Sequence, residues 1–223
     1  MRTRVKVCCI QNLEEARTAI AQGADALGLV AAMPSGPGPI PDEAIAEIAA
    51  IAPPAVATFL LTSRTDPDDV VAHVIACGTG VVQLVDAVPV AVYHRLRAAC
   101  PGLRIVQVIH VEGPDAIAAA QRVAGEVDAI LLDSGRPSAA VPELGGTGRA
   151  HDWRVSRRVV EASPVPVFLA GGLRPDNVGA AIRQVAPFGV DLCSGVRTDG
   201  VLDPIKLRAF VAAVRGADLR RAH

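Results

Sequence analysis

Short aliphatic runs alternate with longer stretches in which apolar residues recur every three or four positions, and the alternation extends along the whole chain. The short runs read as buried strands over 5–10, 26–30, 55–61, 81–85, 104–109, 129–132, 165–169 and 190–193. The amphipathic stretches read as helices over 13–22, 42–51, 66–77, 90–99, 114–123, 176–185 and 204–214, with a further one entered at Trp153. Gly23 stops the first helix, as a glycine just past the last periodic residue does. Strands separated by helices imply a parallel sheet, because parallel neighbours need a crossover. Eight strand–helix units in 223 residues fit an α/β fold of the (β/α)8 TIM-barrel type. A doubly wound open sheet shares the local pattern. The count of eight and the lack of a glycine fingerprint after the first strand favour the barrel. No linker-like segment interrupts the pattern, so 1–223 reads as one domain.

Composition narrows the picture. Hydrophobic residues make up 51% of the chain and aromatics only 3%, so aliphatic side chains must fill the core, as in buried parallel strands. The net charge is −1 with both signs mixed, which leaves no nucleic-acid footprint. Five scattered cysteines, Cys8, Cys9, Cys77, Cys100 and Cys193, suggest reduced thiols and a cytoplasmic protein. The opening MRTRVKVCCIQNLEEA carries charge on both sides of a very short apolar run, unlike a signal peptide. No run reaches the ~18 apolar residues of a membrane span. The His and Cys residues form no Cys-x-x-Cys or His-x-x-x-His pattern and no nucleotide motif occurs, so neither metal nor cofactor is expected.

Chemistry in such barrels sits on the loops after the strands. Strands 7 and 8 run into AGGLRPDNV and CSGVRTDG, where Gly171, Gly172, Ser194 and Gly195 let backbone amides approach a ligand. Those two loops, with a helix N-terminus behind them, are the common phosphate site of the fold. A lone Ser-Gly turn would say little; glycine turns in successive loops point to an anion. Asp133 ends the run AILL, and a carboxyl in partly dry surroundings suits a general acid, although a helix cap or salt bridge explains it equally well. Of the pair Cys8 and Cys9, strand alternation lets at most one face the lumen. Lys6 shares the face of Cys8 and needs a buried partner, for which Asp191 on strand 8 is placed once the barrel closes. His110 and the glycine-containing loop 134–149, with Gly146 and Arg149, are candidates for substrate contact.

These stretches together resemble the phosphoribosylanthranilate isomerase family of tryptophan biosynthesis, a family of (β/α)8 barrels. The resemblance rests on VKVCCIQNLEEARTAIAQGADALGLV, VVQL, ILLDS, GGTGRAHDW, FLAGGLRPDNV and GVDLCSGVRTDGVLDPIKL, in family order over nearly the whole chain. It implies an Amadori rearrangement of a phosphoribosyl amine to a 1-amino-1-deoxyribulose phosphate. On matching positions, Asp133 would be the general acid that opens the ribose ring and Cys8 the general base at C2′. Gly171, Gly172, Ser194 and Gly195 would grip the phosphate. The implied partner is a small phosphoribosyl substrate, handled by a monomer or homodimer.

The departures from the family pattern cluster. Cys9 replaces a glycine, Val85-Asp86 replace His-Gly, Arg197 replaces a glutamate, and His151 replaces a phenylalanine. The loop 33–41 contains no basic residue where the family carries an arginine for the anthranilate carboxylate. Arg64, Arg136, Arg149 and Arg197 are the cations available to replace it. Three readings follow: the named isomerase, a paralogue acting on another phosphoribosyl compound, or a phospholigand-binding barrel without turnover. Keeping both Cys8 and Asp133 argues against the last, since a pure binder needs neither.

Overall fold

The computed structural model describes residues 2–135 and 151–221. Eight parallel strands form a closed barrel: β1 (Arg4–Val7), β2 (Ala26–Val30), β3 (Ala57–Thr62), β4 (Val81–Leu84), β5 (Arg104–His110), β6 (Ala129–Asp133), β7 (Val167–Leu169) and β8 (Gly189–Leu192). Around them run α1 (Leu13–Ala21), α2 (Asp42–Ile51), α3 (Pro67–Cys77), α4 (Val90–Ala99), α5 (Asp115–Val123), α6 (Trp153–Ala162), α7 (Val178–Val185) and α8 (Pro204–Arg221). The barrel closes where β1 pairs with β8, in a register that sets Lys6 opposite Asp191 and Val7 opposite Leu192.

Alternation along each strand divides the interior in two. Leu27, Leu29, Leu60, Val82, Leu84, Ile105, Ile130 and Val190 point outward and are buried under the helices. Ala26, Val30, Phe59, Leu61, Val81, Val106, Val108, Ala129, Leu131 and Phe168 fill the lumen. Phe59, Phe168 and Phe188 meet edge to face there, at centroid separations of 6.0 and 5.4 Å. Gly189 is required by this filling, since a Cβ there would stand 2.6 Å from the Phe168 ring.

The first strand ends at Val7 rather than at residue 10, because Cys9 turns into the left-handed region at φ 61. The last helix runs on to Arg221, well past residue 214. Its final turns are anchored by Asp218, which accepts from Thr3 N–H at 2.9 Å and Thr3 Oγ1–H at 2.6 Å. A short hairpin, Arg197–Thr198 with Val201–Leu202, lies between β8 and α8 and has no counterpart in the hydrophobic pattern. Among the described residues, no helix is long and apolar enough to cross a membrane.

Candidate active site

A cleft of roughly 710 Å³, counting its open mouth, lies at the C-terminal end of the barrel. Its wall includes Cys8 and Cys9 after β1, Met33, Ser35, Gly36 and Pro37 after β2, Gln83 from β4 and Val85 just past it, and Asp133 at the end of β6. Gly171 and Gly172 after β7 and Asp191, Cys193 and Ser194 from β8 complete it.

Cys8 still belongs to the ladder, donating its N–H to Leu192 O at 2.8 Å. One residue later the backbone turns, and that turn overrides strand alternation. Both thiols line the cleft, contrary to the expectation that at most one would. Two glycines make the space. A Cβ on Gly28 would lie 2.8 Å from Cys8 Sγ, and one on Gly38 would lie 2.7 Å from Cys9 Cβ. Gly38 is also left-handed, at φ +76.

Beneath Cys8 the fully buried Lys6 pairs with Asp191, Nζ to Oδ2, at 2.9 Å. Burial pulls the Lys6 ammonium down, but Asp191 and then Cys8 hold it above its ordinary range. Asp191 is raised by burial, with Lys6 pulling the other way and the neighbouring Asp133 adding to the rise. Asp133 has no ion-pair partner among the described residues. Burial raises its carboxyl, outweighing the Ser134 N–H bond of 2.7 Å and the pull of His110 and Lys6. Two carboxyls thus share one ammonium. Asp191 takes the short contact, and Asp133 is left without one, its carboxyl raised by burial.

The loops after β7 and β8 present free backbone donors. Among the described residues, the N–H groups of Gly171, Gly172, Ser194 and Gly195 donate to no backbone or side-chain acceptor. Gly171 and Gly172 are left-handed, at φ 84 and 62, a conformation that glycine adopts without strain. At Gly171 a Cβ would stand 2.9 Å from Ser134 Oγ. Gly195 does not line the cleft, and its lack of a side chain has another cause: a Cβ there would stand 2.1 Å from Leu173 O. It lets the two loops pack together.

Other sequence candidates fall elsewhere. His110 stays outside the cleft wall, with Nε2 bonded to Val85 O at 3.0 Å and Nδ1 without a partner among the described residues. Arg197 is held by Glu15 through two contacts of 2.9 and 2.8 Å and also donates to Cys9 O, so it cannot serve a substrate carboxylate. Arg64 pairs with Asp42 at 3.5 Å, away from the cleft. Gly146, Arg149 and Arg136 lie outside the described residues. His151 is bonded to Ser156 Oγ at 2.6 Å, and burial lowers its pKa to about 4, so it is neutral.

Sequence reading missed Gln83, whose buried Oε1 has no partner among the described residues and whose side chain lines the cleft. The signal was a glutamine in an aliphatic strand, VVQL. It also overlooked that His73 and Cys77, four apart on α3, stand with Asp42 within 4.8 Å of one another. Both His73 nitrogens already have partners there, Thr62 Oγ1 and Asp42 Oδ1, each at 3.1 Å.

A family model described as N-(5'phosphoribosyl)anthranilate (PRA) isomerase matches residues 5–213. The N-(5'-phosphoribosyl)anthranilate isomerase of Haloferax volcanii is 42% identical over 217 residues, covering 96% of this chain and 94% of that one. The crystal structure of phosphoribosyl anthranilate isomerase from Thermus thermophilus superposes with a TM-score of 0.81 at 30% identity, covering 96% of this chain and 99% of the other. A crystal structure of phosphoribosyl anthranilate isomerase in complex with reduced 1-(o-carboxyphenylamino)-1-deoxyribulose 5-phosphate superposes with a TM-score of 0.78 at 26% identity, over 96% and 99% of the two chains.

Proposed function

The chain belongs to the N-(5'-phosphoribosyl)anthranilate isomerase family, and we propose that it performs the Amadori rearrangement of that substrate with Asp133 as acid and Cys8 as base. Its product would be 1-(2-carboxyphenylamino)-1-deoxyribulose 5-phosphate. The observation that carries this reading is that one cleft holds both groups: the Asp133 carboxyl, raised by burial, ends β6, and the Cys8 thiol stands just past β1 on the same wall.

In this mechanism Asp133 gives its proton to the ribose ring oxygen, the C1′–O bond breaks, and the nitrogen lone pair forms a Schiff base. Cys8 as thiolate then takes the C2′ proton, and the resulting enolamine tautomerises to the ketone. Substrate and product are isomers, so the chemistry calls for no external oxidant or reductant. It is an aldose–ketose type of intramolecular redox change. The phosphate would sit on the free amides of Gly171, Gly172 and Ser194, with Gly195 beside them, near the N-terminal end of a helix as anions prefer. Lys6 and Asp191 hold the charge balance at the cleft floor. Gln83 supplies an acceptor on the cleft wall. The enzyme would work in the cytoplasm, without a cofactor, as a monomer or homodimer.

Turnover tests the assignment. Cys8→Ala and Asp133→Asn should each lower kcat by at least ~10²-fold, the usual scale for losing a general acid or base. Binding of a reduced product analogue should change much less, because neither group holds the phosphate. Near-normal kcat in Cys8→Ala would overturn the assignment and move the base to Cys9.

A second reading is a paralogue with another aglycone. It is favoured by one observation: no Lys or Arg side chain lines the cleft among the described residues. A substrate carboxylate left unpaired there would cost binding, so wild-type enzyme should show a high KM rather than a low kcat. No detectable turnover of phosphoribosylanthranilate, with inorganic phosphate still bound, would favour the paralogue.

A further inference from the structure

Three cysteines meet at the cleft, and the isomerisation uses one of them. Cys9 and Cys193 have no part in it, yet both line the same wall as Cys8. They come from adjoining strand ends: Val7 pairs with Leu192, and Cys8 N–H reaches Leu192 O at 2.8 Å. The Cys9 side chain stands close enough to Cys193 and Cys8 for both to act on its thiol. Its approach is fixed by the left-handed backbone at φ 61 and by the Arg197 guanidinium, which donates to Cys9 O while Glu15 holds it in place. That guanidinium also lies close enough to Cys193 to interact with its sulfur. Cys193 is partly exposed to the cleft, whereas Cys9 is buried behind it. All five cysteines are free.

We propose that Cys193 and Cys9 form a hydroperoxide-reactive dithiol in the wall of the cleft, Cys193 attacking and Cys9 resolving, whose disulfide reversibly stops turnover. The two thiols differ in the way such a pair requires. Cys193 is lowered, first by the Cys9 S–H it accepts, against burial, and then by Arg197. Cys9 is raised by its bonds to Cys193 and Cys8 and by burial, so it keeps its proton. A thiolate is the nucleophile in such oxidations, and a nearby thiol resolves the sulfenic acid.

The steps balance. Cys193 thiolate attacks one oxygen of the peroxide, the O–O bond breaks, and hydroxide leaves and takes up a proton, giving Cys193 sulfenic acid and water. Cys9 sulfur then attacks the sulfenic sulfur, the S–O bond breaks, and water leaves with the Cys9 proton. Two thiols lose two electrons in all, and one peroxide becomes two waters. Closure ties up the Cys9 sulfur that stands beside Cys8 and pulls on Cys193, the residue before Ser194 in the proposed phosphate loop. The loss of turnover rests on Cys8 being the base; formation of the disulfide does not.

The test is titration of the reduced protein with hydrogen peroxide, followed by intact mass, peptide mapping and kcat before and after dithiothreitol. The expected result is a mass loss of two hydrogens, a Cys9–Cys193 cross-link, and loss of turnover that dithiothreitol restores. Cys193→Ser, compared with its own untreated rate, should resist the same dose. Cys9→Ser should instead accumulate a sulfenic acid on Cys193 that dimedone traps. A cross-link through Cys8, no cross-link at all, or Cys193→Ser inactivating as fast as wild type would overturn the dithiol. A Cys9–Cys193 cross-link with undiminished turnover would overturn the switch while leaving the dithiol standing. The kinetics of Cys8→Ala, measured separately, report on the base alone.

Discussion

At the floor of the cleft, two carboxyls and one ammonium must divide a single positive charge, and that division determines which carboxyl can act as an acid. Asp191 has the 2.9 Å contact to Lys6, and Asp133 has none. A raised carboxyl pKa has a definite sign in both folding and catalysis. Asp133 favours the folded state below its unfolded pKa, and that contribution disappears as pH rises through the folded value. The protonated acid follows the same course, so kcat should fall on the alkaline side as Asp133 ionises. Asp191→Asn tests the division. It frees Lys6 to act on Asp133, whose pKa should drop, moving the alkaline limb of the kcat–pH profile to lower pH while the phosphate site keeps its affinity. A limb that stays in place, with only stability reduced, would make Asp191 a structural partner alone. Lys6, Cys8, Asp133 and Asp191 were all legible in the sequence, because each sits on the inward parity of a recognisable strand. Cys9 was misread because parity ends with the strand, and a left-handed φ at a cysteine has no sequence signature.

Loops rather than strands decide what the cleft can bind. The segment after β2 lines it with Met33, Ser35, Gly36 and Pro37, and none of these carries a charge. Arg197 is committed to Glu15, whose carboxylate also accepts from Gln11 N–H and Leu202 N–H. Burial opposes ionisation of Glu15, yet Arg197 and these bonds hold it below the ordinary carboxylate range. Such a pair organises the loop after β8 and occupies the Arg197 guanidinium. An arginine could be restored in the β2 loop at only one of two obvious places. Gly38 is excluded by its positive φ and by the Cys9 Cβ, which would lie 2.7 Å away. Pro37 is exposed and faces the cleft. Pro37→Arg should therefore lower KM for phosphoribosylanthranilate more than it changes kcat, the signature of binding common to ground and transition states. Unchanged KM in steady-state kinetics would mean that the carboxylate is already held, with Arg136 and Arg149 the remaining candidates. The absence of an arginine was legible in the sequence; the engagement of Arg197 was not, since its partner is 182 residues away.

Across the whole molecule the two ends of the barrel carry different duties, as is general for this architecture. The strand C-termini hold Cys8, Asp133 and the glycine loops after β7 and β8, whereas the strand N-termini hold a clasp between Thr3 and the end of α8. There Thr3, almost fully buried, gives both its N–H and its hydroxyl to Asp218, and Arg215 donates to Thr3 O at 2.9 Å. The eightfold alternation made the barrel legible, yet this clasp was missed. The residues RGADLRR that form the end of α8 are mostly polar, so the apolar period runs out at 214 while the helix continues. What extends it is tertiary: Ala217 is fully buried, and Asp218 meets Thr3 beside the β1–β8 seam that closes the barrel. Asp218→Ala leaves two donors of a buried residue without an acceptor, at about 1–3 kcal/mol each. The urea midpoint should fall accordingly, and kcat and KM at a temperature where the variant is folded should not move. Cys8→Ala should do the reverse, lowering kcat with little effect on the midpoint. If Asp218→Ala lowered kcat in proportion to its loss of stability, the barrel would be transmitting strain from the seam to the cleft. The β1–β8 register that sets Lys6 against Asp191 is the route by which that strain would travel.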